Sequence, residues 1–401
     1  MGRFSPRILQ IETHEHAVRE LRRVAVDPGG IAEMAPKMGT RCILVQQLGC
    51  HHANILKQEM LSCGGDAAVA RGTVSCSVDA TDCILIGTKK QLQRLCHKLT
   101  GQPFALSELS AELISLLSTI DTPPTVWRVA RHELSLQRPL IMGILNMTPD
   151  SFSDGGRFCD PVRAIEHARI MEDEGADIID IGGESSRPGS QPVSEEEELA
   201  RIMPVLEHLS GNAGCAISVD TWKSGVARRV LAAGADIIND ISGLTFDSEM
   251  AAVVATSRAG VVVMHTRGVP VSMQQNTAYI DLMSEVCSGL RSSVAQAVQC
   301  GISADRIAVD PGIGFGKDCS GNLELLRRLP ELKSLGFPIL CGSSRKSFIG
   351  KVLGRDNADD RLFGTAATVA LAVANGAGIL RVHDVRAMRD VVDMASAVVQ
   401  C

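Results

Sequence analysis

The chain has 401 residues, 40 of them Lys or Arg and 46 Asp or Glu, giving a formal net charge of -6. Apolar residues make up 45% and charged residues 21%, which supports a large buried core and excludes wholesale disorder. Aromatics at 3% and a mildly acidic balance argue against the stacking platforms and basic groove of a nucleic-acid binder.

Taken in chain order, Met1-Gly2-Arg3-Phe4-Ser5-Pro6 leads into no apolar signal region, and Pro6 stands where a myristoylation signal has Ser or Thr. Residues 41–48 and 82–87 read as buried strands. Residues 52–63 and 91–100 read as helices, the first ended by Gly64-Gly65. They predict a small α/β domain over residues 1–122. Cys50-His51-His52 with Cys63 or Cys76 lacks zinc-finger spacing. Thirteen cysteines, an odd number without the short spacings of a disulfide scaffold, fit reduced thiols in a cytoplasmic enzyme.

Asp121-Thr122-Pro123-Pro124 is the sharpest break in composition, since a Pro-Pro pair cannot continue a helix. Beyond it, over residues 126–401, short apolar runs begin near Pro139, Ile178, Cys215, Ala235, Gly260, Arg306, Pro338 and Ile379. Each is followed by a stretch of helical character, such as residues 162–174 with Gly175 after them. Gly175-Ala176-Asp177-Ile178-Ile179-Asp180 recurs as Gly234-Ala235-Asp236-Ile237-Ile238-Asn239, the same helix-to-strand turn used twice. Asn375 and two glycines interrupt the apolar stretch from Thr365 to Leu380, which reads as a buried helix and not a membrane span.

Eight strand–helix units predict a (β/α)8 TIM barrel, with an open doubly wound sheet as the structural competitor. The polar residues favour the barrel. Asn146, Glu184, Asp220, Asn239, His265, Asp310, Lys346 and His383 fall at the ends of strand-like runs, and in a barrel those ends share one mouth.

Asp220, Asn239 and Asp310 offer paired acceptors for a flat heterocycle with an amino-pyrimidine edge. Arg187, Arg345, Lys346, Arg381 and His383 suit a multiply charged oxyanion, with salt bridging to Asp384 or to the acidic helix starts as the plain alternative. Gly312-Ile313-Gly314-Phe315-Gly316-Lys317 fails both the P-loop and the dinucleotide fingerprint. It reads as a close-approach loop in which Phe315 can lie over a ring. Glu195 to Glu198 after Ser194 reads as a solvated helix start.

These residues stand within longer motifs: Met142-Gly-Ile-Leu-Asn146-Met-Thr-Pro-Asp150-Ser-Phe152; Gly182-Gly-Glu-Ser-Ser186-Arg187-Pro188-Gly189; Val219-Asp220-Thr221; Ile238-Asn239-Asp240; Asp310-Pro-Gly-Ile-Gly-Phe315-Gly-Lys317; Ser344-Arg345-Lys346-Ser347; and Arg381-Val-His383-Asp384. Residues from about 127 to 399 thereby resemble the dihydropteroate synthase family, which is built on a pterin-binding barrel.

The resemblance implies condensation of p-aminobenzoate with a dihydropterin methyl pyrophosphate. It implies that Asp220, Asn239, Asp310 and Lys346 grip the pterin, with Met264 and Phe315 on its faces. Asn146 would ligate Mg²⁺. Ser186, Arg187, Arg381 and His383 would hold the pyrophosphate, and Phe152, Pro188 and Ser347 would frame the aminobenzoate. A homodimer is the family expectation.

Ser186 stands where many members have Thr, with the hydroxyl retained. The first 120 or so residues are absent from the compact form of the enzyme, and an interaction or oligomerisation role is the expectation for them. A corrinoid methyltransferase on a related barrel is the runner-up, disfavoured because it needs no anion-binding Arg, Lys and His set. A non-catalytic pterin-binding paralogue is the third reading.

Overall fold

The computed structural model describes residues 7–11, 13–103, 105–147, 160–187 and 189–400. It divides into two compact units at the Asp121/Thr122 junction.

In the first unit, strands β1 (Thr40–Gly49), β2 (Asp66–Val69) and β3 (Ala80–Thr88) form an antiparallel sheet in the order β1-β3-β2. Alternation along β3 buries Thr81, Cys83, Leu85 and Gly87. Leu85 shares a core with Leu56 and Met60 of helix Cys50–Ser62 and with Leu92, Leu95 and Leu99 of helix Lys89–Leu99. The second helix begins in a capping box. The Thr88 hydroxyl accepts from the Gln91 amide, and the Gln91 side chain accepts from the Thr88 amide at 2.8 Å.

The second unit opens with a short hairpin, β4 (Val126–Val129) and β5 (His132–Ser135). Among the described residues, eight parallel strands follow: β6 (Leu140–Asn146), β7 (Ile178–Gly182), β8 (Ala216–Asp220), β9 (Ile237–Asp240), β10 (Gly260–Met264), β11 (Ile307–Asp310), β12 (Leu340–Cys341) and β13 (Ile379–Val382). Their order is β11-β10-β9-β8-β7-β6-β13-β12, and a bridge between Val309 and Ile339 joins the two ends. The sheet is thus closed, as the eight-unit reading predicts.

Side chains alternate across a strand, so one residue type decides two layers. Odd-numbered Ile179, Ile181, Ile217 and Val219 join the apolar shell shared with the helices. Met142, Ile178, Ala216, Ile237 and Val262 point into the barrel instead. Two residues further along, the inward positions become Ile144, Asp180, Ser218, Asn239 and Met264, and beyond Ser218 comes Asp220. The barrel interior therefore changes from apolar at the strand starts to charged at the strand ends.

The hairpin seals the apolar end. Trp127 is wholly buried among the inward residues and donates its indole N–H to the Arg306 carbonyl at 3.0 Å. Gly260 leaves the necessary room, since a Cβ there would lie 2.4 Å from Val129 Cγ1. Trp127→Ala should cost about 3–5 kcal/mol of unfolding free energy, read by chemical denaturation. A loss below about 1 kcal/mol would show that the plug is not structural.

Candidate active site

The charged end is built around Asp180 and Arg381. The Arg381 guanidinium donates from Nε to Asp180 Oδ2 at 2.6 Å and from Nη2 to Asp220 Oδ2 at 2.8 Å. Neither bond uses Nη1. Asn239 Nδ2 also donates to Asp180 Oδ2, at 3.1 Å. That bond fixes the sense of the amide, with Asn239 Oδ1 left as an acceptor for another group. Asp180 is fully buried, and its Oδ1 has no protein partner among the described residues.

Sequence reasoning missed Asp180 because it lies inside β7 between Ile179 and Ile181, not at a strand end. The available signal was the alternation itself: a lone charge on the inward side of a buried strand.

Burial pushes the Asp220 carboxyl up to about 7, with Arg381 opposing and Asp180, Glu198 and Asp240 adding to the rise. Asp310 is raised by burial as well, against the pull of Lys346 and a hydrogen bond of 2.7 Å from the Gly312 amide. Lys346 is drawn down to about 8 by burial, which outweighs its attraction to Asp310. Its ammonium donates to the Ile313 carbonyl and sits 4.8 Å from the Phe315 ring centroid. Met264 lies two residues beyond Val262 on the inward side of β10, buried at the same level as Asp310, its register partner on β11.

The glycine loop after β11 is held from beneath by Lys317. This lysine is 2% exposed, and its ammonium reaches the carbonyls of Gly312 at 3.0 Å and Phe315 at 2.8 Å and the Nδ1 of His265 at 3.1 Å. Gly312 is required here, because a Cβ would meet the His265 carbonyl oxygen at 2.0 Å and φ is +70°. Burial, with Lys317 and Arg267, lowers His265 to about 3. His265 is therefore a neutral bracket under the loop and not an acid.

At the end of β13, His383 Nδ1 lies 3.0 Å from Ser344 Oγ, and that oxygen also accepts from the His383 backbone amide at 3.2 Å. The hydroxyl can donate to Nδ1 in one tautomer or accept from it in the other, and the tautomer with Ser344 donating leaves Nε2–H as a donor. Burial, followed by Arg381 and Arg345, lowers His383 to about 3, and Arg187 contributes in the same direction.

Arg345 does not join the anion-binding set. It forms a fork with Asp384, at 3.0 Å and 2.5 Å, and reaches Asp359 at 2.5 Å. The adjacent carboxylates outcompete an open pocket for a planar guanidinium, so the salt-bridge alternative is the correct one.

Ser186 is half-buried and Arg187 exposed on the loop after β7, whose Gly189 amide donates to the Pro270 carbonyl at 3.0 Å. Ser347 is exposed as the first residue of helix Ser347–Leu353. Phe152 and Pro188 lie outside the described residues.

Asn146, half-buried at the end of β6, sits beside Gly182, where a Cβ would lie 3.8 Å from its Oδ1. One amide oxygen without a cage of carboxylates suits Mg²⁺, which keeps water and phosphate oxygens in its shell. Among the described residues no group of three or more His, Cys, Asp and Glu could hold a metal alone.

The pattern of the pterin binding enzyme family matches residues 142–383. Over 261 residues the chain is 50% identical to the dihydropteroate synthase of Synechocystis sp., covering 65% of this chain and 90% of that protein. The chain belongs to the dihydropteroate synthase family. It is accordingly an enzyme of the alkyl-transferring class, and folate biosynthesis is its pathway.

The dihydropteroate synthase of Xanthomonas albilineans, solved with 4-aminobenzoic acid, is 42% identical with a TM-score of 0.65, covering 69% of this chain and 98% of that one. A probable bifunctional folylpolyglutamate synthase/dihydropteroate synthase of Halobacterium salinarum is 41% identical over 375 residues. That match takes in 94% of this chain, hence most of the first unit, but 45% of the archaeal protein. The first unit thus has a counterpart in a relative, although the compact enzymes lack it.

Proposed function

We propose that the chain joins 4-aminobenzoate to a (7,8-dihydropterin-6-yl)methyl diphosphate, releasing 7,8-dihydropteroate and diphosphate. The observation that carries this reading is the buried Asp180–Arg381–Asp220 network with Asn239 at its side and Asp310 and Lys346 in the same mouth. Asp220, Asn239 Oδ1 and Asp310 supply acceptors for an amino-pyrimidine edge, while Lys346, Met264 and Phe315 supply a polar edge and apolar faces. Arg381 Nη1, His383 Nε2–H, Ser186 and Arg187 supply donors for the diphosphate.

In this reading the methylene C–O bond breaks with its electron pair passing to the diphosphate oxygen. The electron-rich pterin stabilises the cationic methylene left behind. The neutral aryl amine then forms the C–N bond and gives up a proton, so no strong base is needed. Ser347 would line the amine's side of the site, to which the sequence motifs alone also assign Phe152 and Pro188. When bound through Asn146 and the diphosphate, Mg²⁺ would withdraw charge from the leaving oxygens. Fixed donors matched to growing negative charge are the protein's own contribution.

Two measurements test the site. Pterin affinity should tighten at least tenfold when diphosphate and Mg²⁺ are added together, read by calorimetry. Unchanged affinity would favour a pterin-binding protein without the transfer reaction.

The pH profile of pterin binding is the second. Asp220 must be ionised to accept pterin N–H groups, so affinity should rise as pH increases through about 7. Lys346 donates most strongly as the ammonium, so affinity should fall above about 8. The two limbs belong to the coupled set of charges. A flat profile from pH 6 to 9 would remove these groups from the pterin contact.

We also infer a homodimer in the cytoplasm. An apolar stripe supports the dimer: Phe363 is 85% exposed and Leu371 57% on helix Leu362–Ala374, with Met394 and Val398 exposed on helix Val385–Gln400 packed beside it. A solution mass of one chain would contradict it. All cysteines among the described residues are free thiols, which supports a reducing compartment, and no described helix is long and apolar enough to cross a membrane.

A further inference from the structure

Three charged side chains outside the site just described make a closed knot at the foot of the loop between β7 and helix Glu195–Ser210. Lys223, three residues after Asp220, is 7% exposed. Its ammonium donates to Glu184 Oε2 at the start of the loop, to the Val193 carbonyl at its end at 2.8 Å, and to Glu198 Oε2 at 2.5 Å. Glu198, in the first turn of the helix, is 1% exposed. The Val193 amide returns to Glu184 Oε2 at 3.4 Å, and Arg201 from the same helix donates to the Gly183 carbonyl at 2.7 Å.

All three ammonium protons are used, and both ends of the loop are fixed to one atom. The intervening residues 185–192 include Ser186 and Arg187. Nothing in the chemistry of the reaction calls on Lys223, Glu184 or Glu198. Yet burying one lysine with two carboxylates is costly unless each charge is held in good geometry.

We propose that Lys223, with Glu184 and Glu198, is a positioning device that pins the foot of the 183–193 loop to the end of β8. Ser186 and Arg187 are thereby presented to the diphosphate. This rests on the reaction assigned above and adds residues that act through the loop rather than on substrate.

The test uses the full-length chain with Glu184→Ala, which leaves Lys223 paired to Glu198. Glu184→Gln retains an acceptor oxygen for Lys223. The alanine variant should raise the KM for the dihydropterin diphosphate at least tenfold with affinity for the free pterin within twofold of the parent, and the glutamine variant should restore most of the loss.

Amide hydrogen exchange of residues 185–192 should accelerate at least tenfold in the alanine variant, with the barrel strands unchanged. That readout does not need turnover, so an inactive parent would refute the assigned reaction while leaving this inference to be decided by exchange. Unchanged KM together with unchanged exchange would overturn the proposal. So would a parallel loss of affinity for the free pterin, which would make the knot a general support of the barrel.

Discussion

Replacing Arg381 with Met is expected to lower kcat/KM on the order of 10²–10³-fold and to destabilise the fold by about 3–5 kcal/mol. The two effects have different origins. Turnover falls because a fixed donor for the leaving group is lost. Stability falls because Asp180 and Asp220 are left facing each other without the guanidinium that bonds both. With Arg381 gone the Asp220 carboxyl rises further, since the arginine opposes the effect of burial.

A second substitution separates the terms. Arg381→Met combined with Asp180→Asn should recover much of the stability, because one buried charge disappears, but not the turnover. Chemical denaturation and steady-state rates read the two independently. Stability equal to the parent in the single variant would mean that the carboxylates find other partners, and the network would lose its structural role.

Lys317→Met should weaken pterin binding at least tenfold and cost at least about 2 kcal/mol of stability. Methionine fits the space but offers no donor. The Gly312 and Phe315 carbonyls and His265 Nδ1 would lose the ammonium that holds them together. The loop that presents Phe315 then has no floor. His265 should also titrate nearer its ordinary value, since Lys317 is one of the causes holding it low. Its ring proton shifts followed by NMR across pH would show this. A variant with parental pterin affinity would indicate that the glycine loop holds itself.

The barrel was legible because strands buried on both faces form apolar runs with chemistry at their ends. The runs beginning near Ile178, Gly260 and Ile379 start where β7, β10 and β13 start. The others begin one or two residues early, at turn residues such as Pro139, Ala235 and Pro338.

The hairpin carrying Trp127 was not legible. Its strands are four residues each, too short for alternation to stand out beside a Pro-Pro break, and its burial depends entirely on the barrel above it. Within the site, strand-end residues were readable, whereas Asp180, Lys317 and Lys223 were not given roles. All three act by binding other protein groups, and such partnerships appear only once distant strands are side by side. Arg345 failed in the opposite way: its charge suited an anion, but Asp384 and Asp359 stand closer.

The most direct test is diphosphate release by the full-length chain supplied with dihydropterin diphosphate and Mg²⁺, with and without 4-aminobenzoate. Release that requires 4-aminobenzoate and matches dihydropteroate formation mole for mole is the predicted result. Tight pterin binding with no aminobenzoate-dependent release would contradict the assigned reaction.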